Sequence, residues 1–178
     1  MTGKPGVVLG AQPGPEVVNF VTAVAEAHLA YSPLVVIAGA IPRADQAKDT
    51  FQEVDQVALF APICKHSLVV TDPSRLAPMI EDALRLANSG RRGVVVVHVP
   101  RDLFAPNLPD IIPQPLTIAG PGPAAADDIN AIANLLADAQ RPVIFAGGGF
   151  QWGQGARRSP PLPHSWKSPS WPQLVMRM

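Results

Sequence analysis

Over the first 150 residues, short apolar runs alternate with longer stretches whose apolar positions recur at helical spacing. Val7-Val8-Leu9 is a run short enough for a buried strand, ended by Gly10. Residues 16–30 carry Val17, Phe20, Val21, Val24 and Ala25 at intervals of three and four, which predicts a helix with one apolar face. Leu34-Val35-Val36-Ile37 follows as a second strand, started by Pro33 and stopped by Gly39. A short helix is expected over residues 53–60, and a short strand at Leu68-Val69-Val70. The strongest helical pattern comes next: Asp72 can cap it, Pro73 suits its first turn, and Leu76, Met79, Ile80, Ala83, Leu84 and Ala87 form a single stripe that Gly90 ends. Val94-Val95-Val96-Val97 is apolar on both faces. Continuous β-branched strands separated by helices predict an α/β fold, a parallel sheet with helices on both faces.

The pattern then changes twice. Residues 104–124 contain Pro106, Pro109, Pro113, Pro115, Pro121 and Pro123, which favour extended chain and predict a linker after a first domain at 1–103. A second α/β unit is expected over 125–150: Ile129, Ile132, Ala133 and Leu136 make a helix face, Pro142-Val143-Ile144-Phe145-Ala146 a strand, and Gly147-Gly148-Gly149 a strand-end loop of the Rossmann-like kind. From 151 to 178 no period survives. That stretch holds all three tryptophans and a concentration of Pro and Ser. Two readings stand for it: a disordered tail with a Pro-rich recognition segment, or aberrant text from a shifted reading frame.

Charge sharpens this boundary. The formal net charge is zero, which gives no electrostatic reason to expect nucleic acid or an anionic membrane as partner. Yet residues 1–150 hold ten Lys/Arg against fourteen Asp/Glu, whereas 151–178 hold four basic residues and no acid. Cys64 is the single cysteine, so neither an intrachain disulfide nor a cysteine-cluster zinc site can form. His28, His66, His98 and His164 lack paired ligand spacing, which predicts surface or edge placement. Ser32, Ser67 and Ser74 lack a nucleophile elbow, and no phosphate-binding glycine motif is complete. No apolar run approaches the ~18 residues of a membrane span. A cytoplasmic protein is the expectation.

Three stretches together resemble the pyrimidine-binding domain of thiamine-diphosphate-dependent enzymes of the acetolactate synthase, pyruvate oxidase and benzoylformate decarboxylase family. The first is Thr2-Gly3-Lys4-Pro5-Gly6-Val7-Val8-Leu9-Gly10 with Asn19-Phe20-Val21-Thr22 after a Gly/Pro turn. The second runs from Pro33-Leu34-Val35-Val36-Ile37 to Asp49-Thr50-Phe51-Gln52-Glu53. The third is Pro62-Ile63-Cys64-Lys65-His66, then Asp72-Pro73-Ser74-Arg75 and Val99-Pro100-Arg101-Asp102.

The resemblance implies a 2-oxo acid carboligase or decarboxylase of the acetolactate synthase large-subunit type, with thiamine diphosphate as cofactor. It implies that Gly14, Pro15 and Asn19 line the pyrimidine, although the turn Gln12-Pro13-Gly14-Pro15-Glu16 is one residue longer than the family's and exchanges Gly and Pro. Phe51 and Gln52 are implied to face the thiazolium and the substrate, an aromatic wall excluding water and an amide able to bond a developing oxygen. Lys65 matches a basic residue near the substrate entrance. A sulfoacetaldehyde acetyltransferase is an alternative on Asn19-Phe20-Val21-Thr22-Ala23-Val24, Phe51-Gln52-Glu53-Val54 and Arg101-Asp102, and a non-catalytic module another.

Family members are homodimers or homotetramers with the active site between subunits. The glutamate that activates the cofactor lies upstream of Thr2-Gly3-Lys4-Pro5-Gly6 in the family, and its Mg²⁺-diphosphate site uses a Gly-Asp-Gly motif that this sequence lacks. The expectation is therefore a piece of such an enzyme that carries the pyrimidine half of the site alone, without the Mg²⁺ site or any FAD site, and inactive by itself.

Overall fold

A computed structural model of the chain describes residues 5–10, 12–104, 122 and 124–140. The chain divides into two units, Met1–Gly120 and Pro121–Met178. Within the first, four strands make one parallel sheet: β1 (Gly6–Gly10), β2 (Leu34–Ala40), β3 (His66–Val69) and β4 (Val94–Pro100), in the order β1-β2-β4-β3. Its helices are α1 (Pro15–Val18), α2 (Val21–Leu29), α3 (Gln56–Phe60) and α4 (Leu76–Asn88). This is the α/β architecture, parallel with helices on both faces, that the apolar runs predict.

Side-chain alternation along β4 divides the core in two. Val95, Val97 and Val99 join Val35, Val70, Ala83, Ala87 and Leu103 on the α4 side. Val94 and Val96 join Val17, Val24, Val36, Ala38 and Phe60 on the side of α1, α2 and α3. Every residue of β4 is buried, as a central strand covered on both faces requires. Each such valine is worth roughly 1.5–3 kcal/mol relative to exposure, so this strand anchors the unit. The chain advances from β1 to β2 and past β4 to β3 over one face. It returns to β4 through α4 on the other, the change of face expected when parallel crossovers keep one hand.

Several expectations need correction. Val7-Val8-Leu9 forms a strand but not a buried one: β1 pairs only with β2 among the described residues, and Val7 and Leu9 are 57% and 60% exposed. The helix expected over 16–30 breaks between Val18 and Val21. There the Phe20 ring lies against Gly10, where an added Cβ would stand 2.5 Å from it, so the local turn yields to that contact. Gly39 does not stop β2, which runs to Ala40. The α4 stripe behaves as expected, with Ala83 and Ala87 fully buried and Gly90 beyond the end at a φ of 51°.

The second unit contributes α5 (Ala126–Asp138), where the helix at 129–136 was expected. Ile129 and Ile132 on it are exposed, and Leu136 is half-buried. The strand at 142–146, most of the linker and the segment 151–178 lie outside the described residues. No helix among the described residues is long and apolar enough to cross a membrane.

Candidate functional site

Parallel sheets present their loops for function at the carboxyl ends of their strands. Two of the segments singled out by sequence meet there. Gly14, in the turn between β1 and α1, has a φ of 70° and is buried. A Cβ at this position would stand 2.7 Å from the Gln52 carbonyl oxygen and 3.0 Å from its Cβ. Only glycine combines that dihedral with that approach. The β1–α1 turn and the loop between β2 and α3 are thus in direct contact.

The loop itself is tightly organised. Ala47, Asp49 and Gln52 all have positive φ, at 60°, 53° and 69°. Gathered inside it, the Glu53 carboxylate accepts hydrogen bonds from the backbone N–H groups of Ala47 (2.6 Å), Lys48 (3.3 Å) and Thr50 (3.0 Å). These bonds hold its pKa below the usual glutamate value, led by the one from Thr50. The Phe51 ring projects outward, 88% exposed. Gln52 is half-buried, and its side-chain amide makes no hydrogen bond among the described residues. An open aromatic face beside an uncommitted amide suits a flat heterocycle, which can stack on the ring and bond the amide. Pro15 opens α1 and Asn19 closes it, both exposed, with the Asn19 N–H bonding the Pro15 carbonyl and the Phe20 N–H that of Val17. The residues present therefore fit a pyrimidine or thiazolium ring.

Lys65 is elsewhere. It precedes β3, and its N–H bonds the Val94 carbonyl at the start of β4, so it sits at the amino ends of the strands. Seven-residue strands separate that end from the Phe51 loop by roughly 20 Å. Its ammonium donates to the carbonyls of Leu86 (2.6 Å) and Ser89 (2.7 Å), closing the carboxyl end of α4. Partial burial lowers its pKa. The structure brings Gly14 and Gln52 together, carries Phe51 with them, and leaves Lys65 at the far end.

Beneath the loop lies a polar network that the sequence did not disclose. Gln56 Nε2 donates to the Gly39 carbonyl (3.0 Å), which leaves its Oε1 to accept from His98 Nδ1 (3.1 Å). His98 Nε2 then accepts from the Ser67 hydroxyl (2.8 Å). The histidine expected at a surface or edge is 2% exposed, its ring 6.3 Å from that of Phe60. Burial pushes its pKa down to about 4, against a smaller opposing pull from Asp55. At the same end of the sheet, Arg43 Nε meets Asp102 Oδ2 at 2.7 Å while its Nη1 donates to the Thr71 carbonyl at 2.7 Å. Partial burial works to raise the Asp102 pKa, but the bonds and charge of Arg43 outweigh it and leave it low. Cys64 packs half-buried against the α2–α3 core, where burial pushes its thiol up.

The family model described as "Thiamine pyrophosphate enzyme, N-terminal TPP binding domain" matches residues 1–59, the span that contains both Gly14 and Gln52. The chain belongs to the thiamine pyrophosphate enzyme family. Its relatives include acetolactate synthases. It is 37% identical over 153 residues to the acetolactate synthase large subunit of Parasynechococcus marenigrum, covering 83% of this chain and 25% of that protein. It is 36% identical over 153 residues to the acetolactate synthase of Arthrospira platensis, with 83% and 26% covered. To the probable acetolactate synthase large subunit of Methanococcus aeolicus it is 36% identical over 155 residues, again with 83% and 26% covered. The chain thus spans about a quarter of the length of these curated relatives.

Proposed function

We propose that this chain supplies the pyrimidine-side half of a thiamine diphosphate site in a 2-oxo acid carboligase or decarboxylase resembling acetolactate synthase. The observation that carries this reading is the contact of Gly14 with Gln52, which joins the two family segments beside the exposed ring of Phe51. Gly14, Pro15 and Asn19 would line one side of the pyrimidine. Phe51 would screen the reacting centre from water, and the Gln52 amide would donate to an oxygen gaining charge on the substrate. When bound, thiamine diphosphate supplies a carbon nucleophile toward a 2-oxo acid carbonyl; this chain's residues hold and shield it. In this reading the active site forms between subunits, with the diphosphate and its Mg²⁺ held away from Gly14 and Gln52.

Isotope-labelled chain titrated with thiamine diphosphate, and separately with unphosphorylated thiamine, tests this by nuclear magnetic resonance. Both ligands should shift the same signals, those of Gly14, Asn19, Phe51 and Gln52, because both carry the pyrimidine and thiazolium rings these residues meet and differ only in the diphosphate. Gly14→Ala should abolish the shifts at Gln52 while leaving β4 unchanged. Shifts confined to other surfaces, or none at all in a folded chain, would sink the reading.

A further inference from the structure

We propose that Glu53 is a positioning residue: its carboxylate is the internal anchor that holds Phe51 and Gln52 in place at the carboxyl end of the sheet. The inference rests on the functional reading above for what Phe51 and Gln52 do, but its own argument is local.

The loop between Asp45 and Glu53 has no regular structure to pair its backbone. Three of its N–H groups, on Ala47, Lys48 and Thr50, converge on one carboxylate. The chain is also held from Glu53 N–H to the Thr50 carbonyl (3.0 Å) and from the Thr50 hydroxyl to the Asp45 carbonyl (3.4 Å). Curling a seven-residue stretch around a single acceptor forces tight reversals. That accounts for positive φ at Ala47, Asp49 and Gln52, none of which is glycine. Such dihedrals persist only where surrounding bonds over-determine them, and here the bonds share one side chain.

The consequence reaches the site. Gln52, at its positive φ, presents its backbone to Gly14, and Phe51 is turned out to 88% exposure, a placement no apolar contact favours. Three residues on, Gln56 ties the start of α3 to β2 through the Gly39 carbonyl and to β4 through His98. The loop therefore has a fixed floor at Gln56 and one removable clasp at Glu53. The Glu53 carboxylate bonds backbone N–H groups and neither the Phe51 ring nor the Gln52 amide; it acts through the backbone that carries them.

Hydrogen exchange of the intact chain, read by mass spectrometry over residues 46–53, tests the clasp. Glu53→Ala should raise exchange in this loop by about tenfold or more, as expected from removing bonds to a charged acceptor, with β2 and β4 unchanged. Glu53→Gln keeps one acceptor oxygen and should fall between. Should Glu53→Ala loosen β4 as well, Glu53→Gln carries the decision, since it retains the shape. In the wild type, loop protection should fall as pH drops through the lowered carboxylate range, and Glu53→Gln should show no such step. A loop equally protected in the wild type and both variants overturns the proposal. Added thiamine diphosphate separates the two claims: extra protection at 51–52 in the wild type but not in Glu53→Ala supports the positioning role. Failure to protect the wild type, with the clasp behaving as described, overturns the functional reading instead.

Discussion

At the scale of single residues, His98 shows how a polar group is accommodated in a valine-rich strand. Its ring is buried, and both nitrogens are committed, Nδ1 donating to Gln56 and Nε2 accepting from Ser67. A second proton would have to sit on Nε2, facing a hydroxyl already oriented to donate, in a site with little water to solvate the charge. The folded chain therefore resists protonation down to about 4, whereas an unfolded histidine takes up its proton near 6.5. The sign follows: between those values the unfolded state binds more protons, so stability is complete above about 6.5 and is lost as pH falls toward 4. The loss across the window is on the order of 3 kcal/mol. Urea unfolding at pH 7 and pH 5 should show roughly half of it in the wild type and little in His98→Asn. Equal stability of the wild type at both values would contradict the account. The depressed carboxylates, Glu53, Asp72 and Asp102, act in the same direction but at lower pH, because their lowered values lie below the ordinary carboxylate range.

Elements differ in how openly the sequence declares them. Helix α4 is legible because its stripe, its Asp72-Pro73 entry and its Gly90 exit all agree; in the structure Asp72 caps a 3-10 turn at Pro73–Arg75 that leads into α4, and Gly90 lies just past its end. The break between α1 and α2 is not legible, because Val17, Phe20, Val21 and Val24 keep helical spacing straight through it; what interrupts them is Gly10, whose missing side chain admits the Phe20 ring. Helix α3 is the intermediate case. Its five residues are too few to hold a helix by propensity, so its entry matters more than its length. Asp55 supplies that entry, its carboxylate accepting from the Ala58 N–H at 2.9 Å. Asp55→Ala should cost about 1 kcal/mol in urea unfolding, the usual worth of an N-cap, and speed exchange at Ala58 ahead of the strands. If Ala58 exchanges at the wild-type rate in that variant, the cap is not what starts α3. Of the residues the resemblance marks, Gly14 and Gln52 meet at the carboxyl end of the sheet, with Phe51 beside them. Lys65 was marked by the same pattern, yet proximity along the chain says nothing about which end of a sheet a residue occupies. Glu53, Gln56 and His98 escaped because their roles consist of bonds closed by folding.

For the molecule as a whole, the apolar pattern foretold a parallel sheet but not the order of its strands, and order decides which strand lies at an edge. Val7-Val8-Leu9 is as apolar as Val35-Val36-Ile37, so composition alone gives both the same burial. The pairing makes them different. Val7 and Leu9 lie opposite Val35 and Ile37 on the face that α4 covers, but α4 packs over β2, β3 and β4, and the two outer side chains remain exposed. The outer backbone of β1 has no strand partner among the described residues. An apolar edge strand with free N–H and C=O groups is a template for pairing with another chain, since both the ladder and the side chains gain by it. The purified chain should therefore associate with rising concentration, seen as increasing light scattering. Leu9→Lys keeps the inner pairing with β2 but places a charge where a second strand would pack. That substitution should raise the concentration at which association begins by about tenfold, the factor that losing roughly 1.4 kcal/mol of buried leucine contact gives. Thermal stability of the monomer should be little changed, because the lysine stem can lie along the apolar surface while its ammonium reaches water. Association with the same concentration dependence in both proteins would place the responsible surface elsewhere, with the exposed face of α5 the next to vary.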